Sequence, residues 1–583
     1  MTQHNKLANG LKHRRSCRSQ TRFLVAAVSG CFVSGAMADP AGYTVVNGTA
    51  VAAQVGNVLT ITNSAGAILN WQQFGVAAGN TTHFQQPAAS SAVLNRVLAG
   101  APISEIYGTL SSNGRVWLIN PAGILVGASG RVDTAGFVAS TLGVSNSDFL
   151  AGRLNFGSTE GTTAGFGAVV NQGAITTSSG GSVYLVAPNV SNNGIITTPQ
   201  GETILAAGQT VQLLDTATPG VRVEITGSEG NATNLGDIVS DAGRIGIAGV
   251  IVRNSGTLNA SSVVSEGGRV FLKASQDAYV DAAGRIVTTG TKGGSVEVLG
   301  NTVSLAETSR IEADAASVGA GGTVLVLATE ITEAHGVISA RGGATSGDGG
   351  LVETSAPILR TAGIRVNAGA SNGRAGTWLL DPNDIVVAHT VGCGACAPAG
   401  SVTPGTSTVF DADINTSLFN GTSVTLDTST GTGGYGDVVI MPAVVIGSGI
   451  TAGGLAFTVH ADRDITISNT RIGGVTGSAL GINLTAARDI LITSTAMETN
   501  GAAMNIASGN NFTLTANAGQ GSIVSTAGCS APASVDCRTG PYTAGGLQTV
   551  TANGTLKVEA NAGGGFGVAL FSGGGQAISA NNL

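Results

Sequence analysis

A beat of 20–28 residues, carried by short words that recur along the chain, restricts this protein more than any other feature of its sequence. The first word is Gly-Gly-x-Val-x-apolar-x-Ala. It occurs at Gly180–Ala187, returns at Gly267–Ala274, Gly293–Gly300 and Gly321–Ala328, and recurs more loosely at Gly349–Ala356; the last three steps are 26, 28 and 28 residues. The second word, Asn-x-Gly-x-Ile/Leu, begins at Asn171, Asn192, Asn234 and Asn254, with the first two copies 21 residues apart and the last two 20. Further on, Leu455–Ser468 is repeated by Leu480–Thr493 at an offset of 25, Met504–Thr515 follows 22 later, and Gln548–Glu559 a further 44.

Inside each unit the apolar residues alternate, as in Val183 and Leu185, Ile465 and Ile467, or Leu556 and Val558. That is the period of a half-buried strand. Units this short cannot bury a core alone, but stacked on one another they share a continuous interior. The expected fold is therefore all-β, a right-handed parallel β-helix, with very little helix. About 22 residues per coil predicts roughly 25 coils for the mature chain. Glycine is expected at corners that need a positive φ, and asparagines at equal offsets are expected to stack as ladders.

Composition narrows the alternatives. With 42% hydrophobic and only 10% charged residues the chain is not disordered. Its 89 glycines follow no Gly-X-Y period, which excludes collagen, and they disfavour a helical bundle. At 4% aromatic content it lacks the girdles of a transmembrane barrel.

Residues 1–38 read as an export signal. Lys6, Lys12, Arg14, Arg15, Arg18 and Arg22 form a long basic region, an apolar stretch runs from Phe23 to about Val33, and Ala36-Met37-Ala38 supplies an A-x-A cleavage site. A rival reading takes Val28-Ser29-Gly30-Cys31 as a lipobox that would acylate Cys31. Loss of these six basic residues takes the formal charge from −7 to −13 over the remaining 545 residues (583 less 38). Such an acidic surface is unsuited to nucleic acid, and no later apolar run is long enough to span a membrane. Four cysteines remain in two close pairs, Cys393 with Cys396 and Cys529 with Cys537. In an exported chain these read as local disulfides that pin two loops, since neither a thioredoxin-like context nor a second metal-ligand pair accompanies them.

Towards the N-terminus the words become specific. Val46–Ala50, Asn70–Phe74, Phe84–Gln86, Ala92–Val97, Gly108–Leu110, Asn113-Gly114, Val116–Ile124 and Gly136–Leu142 follow one another in order. Together they resemble the secretion domain of two-partner secretion exoproteins of the filamentous-haemagglutinin type, nearest to the branch with the high-molecular-weight adhesins. Gly376–Ile385 is similar to a further segment of such exoproteins. The resemblance covers roughly residues 43–215. It implies export across the inner membrane, then recognition by an outer-membrane barrel with periplasmic POTRA domains. The residues that resemblance assigns to transporter recognition are Asn95, Asn120, Pro121, Gly123 and Ile124; the family's second asparagine in that motif is replaced here by Ala122. A tight corner of the first coils is the competing role for the same residues. The expected organisation is a signal peptide at 1–38, the secretion domain at 39–215, and repeats at 216–375 and at 376–583.

No catalytic, metal or cofactor site is expected. His83, His335, His389 and His460 are scattered. The carboxylates a β-helical polysaccharide-degrading enzyme would use are Asp381 with Asp384, Asp462 with Asp464, and Asp489; of these Asp464 and Asp489 occupy the same repeat position beside Arg463 and Arg488, which suits turns and ion pairs. The expected function is that of a secreted, surface-acting adhesin with a host cell or matrix receptor that the sequence does not name. The alternatives are a haem-carrier-like ligand binder, the front part of a contact-dependent toxin, and that enzyme.

Overall fold

Short alternating strands separated by glycine corners leave each coil with unpaired backbone edges, and stacking satisfies them. The computed structural model describes residues 39–158, 167–214, 222–389, 406–429, 435–447, 450, 453–473, 479–499, 501–516, 522–525, 547–560, 568–572 and 576–583. The signal segment with Ala36 and Ala38, Cys31, and the pairs Cys393–Cys396 and Cys529–Cys537 lie outside the described residues.

The fold is a three-faced parallel β-helix. In one coil, strand Arg269–Val280 covers two faces, with an irregularity between Lys273 and Asp277, and Arg285–Val287 supplies the third. The next coil repeats this with Ser295–Leu305 and Arg310–Glu312, so that Val270 stands beside Val296, Val280 beside Leu305 and Ile286 beside Ile311. These alternate residues point inward, are buried, and join one apolar core that runs from Ile61 to Leu556. Two faces merge into a 31-stranded sheet; the third is a 13-stranded sheet followed later by a five-stranded one.

The first-face ladder, from Ala67–Gln73 to Gln576–Asn582, contains eighteen strands among the described residues, fewer than the roughly 25 coils that a uniform beat implies. Insertions account for the difference. Glu202 pairs directly with Arg244, 42 residues on, because Thr210–Leu214 and Arg222–Thr226 leave the coil as an antiparallel hairpin. Met504 likewise pairs directly with Gln548, so the 44-residue offset is a single step. The hairpin, strand Leu154–Phe156 and the short helix α1 (Asn146–Leu150) lie over the first face and cover its outward side chains Ile68, Leu94, Trp117, Val138 and Ile204 in a second apolar cluster.

At the N-terminal end the parallel pattern gives way to antiparallel pairs. Ala41–Asn47 pairs with Ala67–Gln73, and Ala50–Val55 with Val58–Asn63. These strands cover the edge of the first coil, which would otherwise be a template for further pairing.

The asparagine ladder forms as expected. Asn171 Nδ2 donates to Asn192 Oδ1 at 2.8 Å, Asn192 to Asn234 at 2.8 Å, and Asn234 to Asn254 at 2.9 Å. All four are buried, and the last three also donate to the carbonyl two residues on, at Gly194, Gly236 and Gly256. Turn glycines such as Gly66, Gly79, Gly123 and Gly363 have the expected positive φ, but the Gly-Gly pairs of the repeat word have a different cause. Of those five pairs only Gly180 has a positive φ, +77°. Elsewhere the backbones approach too closely for a side chain: a Cβ on Gly294 would stand 2.1 Å from the Gly268 carbonyl oxygen, and one on Gly322 would stand 2.1 Å from that of Gly294.

One coil replaces its third-face strand with helix α2 (Asp411–Phe419). Asp413 accepts from the Gly363 amide of the coil before at 3.1 Å. Asn415 grips the coil after, donating to the Val445 carbonyl and accepting from the Gly447 amide, both at 2.7 Å. The helix thus bridges the gap between strands Arg365–Asn367 and Val445–Ile446. Burial pushes the Asp413 carboxyl up to about 7, with Asp411 adding to the rise and the Gly363 hydrogen bond opposing it. Burial also raises Glu498 to about 7, although Arg471 opposes it from 3.3 Å.

Two outcomes follow from this packing. Asn192→Ala orphans the amides on either side at about 1–3 kcal/mol per buried group, so amide exchange at Gly173, Gly194 and Gly236 accelerates while remote coils are unaffected. The raised carboxyls are bound protons in the folded state, so their stabilisation is complete below about pH 4 and is lost as pH climbs through about 7. Asp413→Asn is expected to be more stable than the parent at pH 8 and to flatten the fall in Tm between pH 5 and 8; a parallel pH profile contradicts this.

Candidate functional site

The residues singled out for secretion converge on the first four coils. Trp71, on strand Ala67–Gln73, is buried between Tyr43 (ring centres 4.9 Å apart) and the edge-on Phe74 (5.4 Å), and Phe74 stacks on Phe84 at 6.4 Å. A buried indole needs an acceptor. Asn95, on the next coil in register with Leu69, provides it: Trp71 Nε1 donates to Asn95 Oδ1 at 2.9 Å, and Asn95 Nδ2 donates to the Trp117 carbonyl at 3.3 Å. Asn95 is fully buried, and its side chain is engaged inside the coil stack. The same pairing recurs where Trp378 Nε1 donates to Thr354 at 3.0 Å.

Asn120–Ile124 forms a corner between the first and second faces. Asn120 is buried, and its Nδ2 donates to the Pro102 carbonyl at 2.9 Å and to Ser104 Oγ at 3.0 Å in the coil before. Its Oδ1 accepts from the Ala122 amide at 3.0 Å, and its carbonyl accepts from the Gly123 amide at 3.1 Å, closing the turn. Gly123 is buried with φ +133°, a conformation that L side chains rarely adopt. Ile124 is in the core. Only Pro121, half-buried, and Ala122, exposed, face outward. The amide side chains at 95 and 120 therefore build the corner, and the outward position is the one where this chain has alanine.

Arg96, beside Asn95 in the Ala92–Val97 word, was not among the residues assigned to recognition. Its Nη2 donates to the Val144 carbonyl at 2.9 Å and to Asn146 Oδ1 at 3.0 Å, tying the start of α1 to the first face, and burial lowers its pKa. Asp39 was missed too. Its carboxylate accepts from the Ala77 amide at 3.1 Å and from Asn80 Nδ2 at 2.6 Å, which anchors the chain where the mature protein is expected to begin.

The carboxylates an enzyme would need do not converge on a cleft. Asp384 accepts from the Asp437 amide at 3.0 Å, Asp437 from the Asp464 amide at 3.3 Å, Asp464 from the Asp489 amide at 3.1 Å, and Asp489 from the Asn511 amide at 2.9 Å. Arg463 closes on Asp437 through Nε at 2.6 Å, and Arg488 on Asp464 at 2.8 Å. The Arg488 hydrogen bonds hold Asp464 below the usual carboxylate range. This is a column of corner caps. His83 and His335 contact Ser111 and the Ala362 carbonyl, and His389 and His460 face Asp411 and Asp427. Among the described residues no three His, Cys, Asp or Glu side chains group as metal ligands, and no helix is long and apolar enough to cross a membrane.

Residues 36–298 match the TPS secretion domain family. This segment is a two-partner secretion domain. The chain is similar to the crystal structure of the HMW1 secretion domain from Haemophilus influenzae, with TM-score 0.54 and 29% identity over 64% of this chain and 100% of that one. It is also similar to a heme/hemopexin-binding protein of Haemophilus influenzae (strain ATCC 51907 / DSM 11121 / KW20 / Rd), 26% identical over 223 residues. A second Haemophilus influenzae protein of that name is 33% identical over 75 residues. These matches span 24% and 8% of the relatives' lengths, and 32% and 13% of this chain. The family match runs past residue 215, the expected end of the domain, and takes in the hairpin whose strands pair Leu214 with Arg222. Proteins with this domain are exported and have a cognate outer-membrane transporter.

Asn95→Ala leaves the buried indole N–H without its acceptor and is expected to cost about 1–3 kcal/mol. Ala122→Ser, at the exposed corner, is expected within ~0.5 kcal/mol of the parent. Urea denaturation of the two variants checks the contrast.

Proposed function

We propose that this protein is an exported exoprotein whose secretion domain is recognised by a POTRA-barrel transporter in the outer membrane, and whose β-helix then acts in adhesion at the bacterial surface. The observation that carries the reading is the family match over residues 36–298, laid on a first-coil corner whose amides are internally satisfied. Recognition through this corner falls to what it presents outward, Pro121 and Ala122, with Asn95, Asn120, Gly123 and Ile124 shaping it from within. The repeats behind it suit passage through a pore. Each coil contacts only its neighbours, so emerging chain can pair on the coil already formed. Adhesion is favoured by the resemblance of the N-terminal words to the adhesin branch.

The names of the two curated relatives favour one other reading, a secreted binder of haem or of hemopexin. Titrating the mature protein with each ligand, beside a host-cell binding assay, separates the two functions.

Secretion is tested by expressing the full chain with and without a POTRA-barrel transporter and measuring extracellular protein. Ala122→Asp places a charge on the exposed corner without touching the core. It is expected to keep the parent Tm and lower secretion at least tenfold, while Ala122→Asn secretes at least as well as the parent. Equal secretion of the aspartate variant removes the corner from recognition, and export that does not depend on the transporter overturns the pathway.

A further inference from the structure

The register of the first face places one column of outward side chains, Ala92, Arg115, Gly136, Ser182, Glu202 and Arg244, on six successive coils. At ~4.8 Å per step this column is roughly 24 Å long. It forms the floor of a groove of about 530 Å³, and helix α1 and its neighbouring strands provide an apolar wall at Phe149, Leu150, Leu154 and Leu213. That volume is in the ~300–1,000 Å³ range of small-ligand sites. The middle of the floor is low because Gly136 and Ser182 stand there, and the stem of Arg115 leans over Gly136, its Cγ 3.3 Å from where a Cβ would be.

The charges in the groove are unequal. Glu202 is committed: Arg244 Nε meets its Oε1 at 3.1 Å, and Tyr184 donates to its Oε2 at 2.8 Å. Burial, with Glu202 adding to it, raises the Tyr184 phenol and keeps it a donor. Arg115 is exposed and has no ion pair among the described residues, as is also true of Arg131, Arg310 and Arg365, whereas Arg269, Arg285, Arg341 and Arg374 have one. The groove therefore carries one uncompensated positive charge on a protein whose mature formal charge is −13 (−7 less the six basic residues of 1–38). Trp117 offers no open platform for a sugar ring, because Phe149 meets it edge-on at 5.2 Å and Phe156 stacks on it at 6.0 Å.

We propose that this groove binds an elongated amphiphilic carboxylate, a single-chain fatty acid in chemical class, with the carboxylate on Arg115 and the chain lying over Gly136 and Ser182 against Phe149 and Leu154. The site is independent of transporter recognition, since the corner at Asn120–Ile124 contributes nothing to its lining. A charge-assisted bond to an exposed guanidinium supplies orientation, and burial of the chain supplies most of the affinity.

Isothermal titration of the mature chain, residues 39–583, with monomeric dodecanoate tests the proposal. Saturable 1:1 binding is expected, with at least tenfold weaker binding for Arg115→Gln and none for Ser182→Leu, which fills the floor; both variants are expected to keep the parent Tm. Dodecyltrimethylammonium and acetate are expected not to bind. Vesicles of phosphatidylcholine containing oleic acid are expected to compete only through the free acid they release. Absence of dodecanoate binding, equal binding of the cationic amphiphile, or unchanged affinity in Arg115→Gln overturns the proposal. Binding to intact vesicles but not to monomer also overturns it, in favour of a membrane surface.

Discussion

Everything in this protein depends on the close parallel stacking of one coil on the next. A single coil has three strands too short to stand alone and a handful of apolar side chains that cannot form a core. Placed on a neighbour in register, its backbone groups pair and its inward residues join a column that runs from Ile61 to Leu556. The stacking also dictates what is permitted at the corners. Where Gly268, Gly294, Gly322 and Gly350 follow one another, each Cα stands so near the preceding carbonyl that only hydrogen fits between them. Glycine is required there by proximity between coils, and only secondarily by backbone conformation.

Polar groups obey the same constraint. A group buried in a stack must be satisfied by its counterpart above or below. The asparagine ladder from Asn171 to Asn254 does this inside the helix, and the aspartate column from Asp384 to Asp489 does it at a corner, each carboxylate holding an amide of the next coil. Glu–Arg and Asp–Arg pairs one coil apart, such as Arg269 with Glu297 and Arg341 with Asp314, continue it on the surface. Exposed pairs of this kind add little stability individually. Their effect is to bring opposite charges of adjacent coils together on the surface.

Two elements break the repetition, and both change what the surface can do. The hairpin and α1 lie outside the coils and turn an outward row of apolar side chains, Ile68 to Ile204, into a covered cluster with a groove along its edge. Helix α2 stands in for a strand and joins the coils on either side through Asp411, Asp413 and Asn415. Neither has a repeat word. The apolar residues of the hairpin alternate as they do in any coil, so its 42-residue step reads as two coils. The stretch Asp411–Phe419 has no amphipathic face broad enough to mark it as helix, and its acidic residues are buried because they cap neighbouring backbone, which becomes visible only when the coils are stacked.

The sequence by itself determined the period, the inward and outward assignment of each strand, and much of the register. Leu455–Ser468 aligned on Leu480–Thr493 pairs the same residues that are hydrogen-bonded neighbours, and the asparagine word foretold its ladder. These are legible because strand alternation and coil length are local properties that repeat. The words from Trp71 to Leu142 likewise located the secretion domain. Tertiary structure alone decided which repeats are adjacent, why the corners are glycine, and which motif residues face solvent. Asn95 and Asn120 look like recognition residues in a linear motif, yet their amides are consumed by Trp71, Pro102 and Ser104. That outcome depends on contacts between coils some 20 residues apart, set by how closely two backbones can approach, and no local pattern encodes that distance.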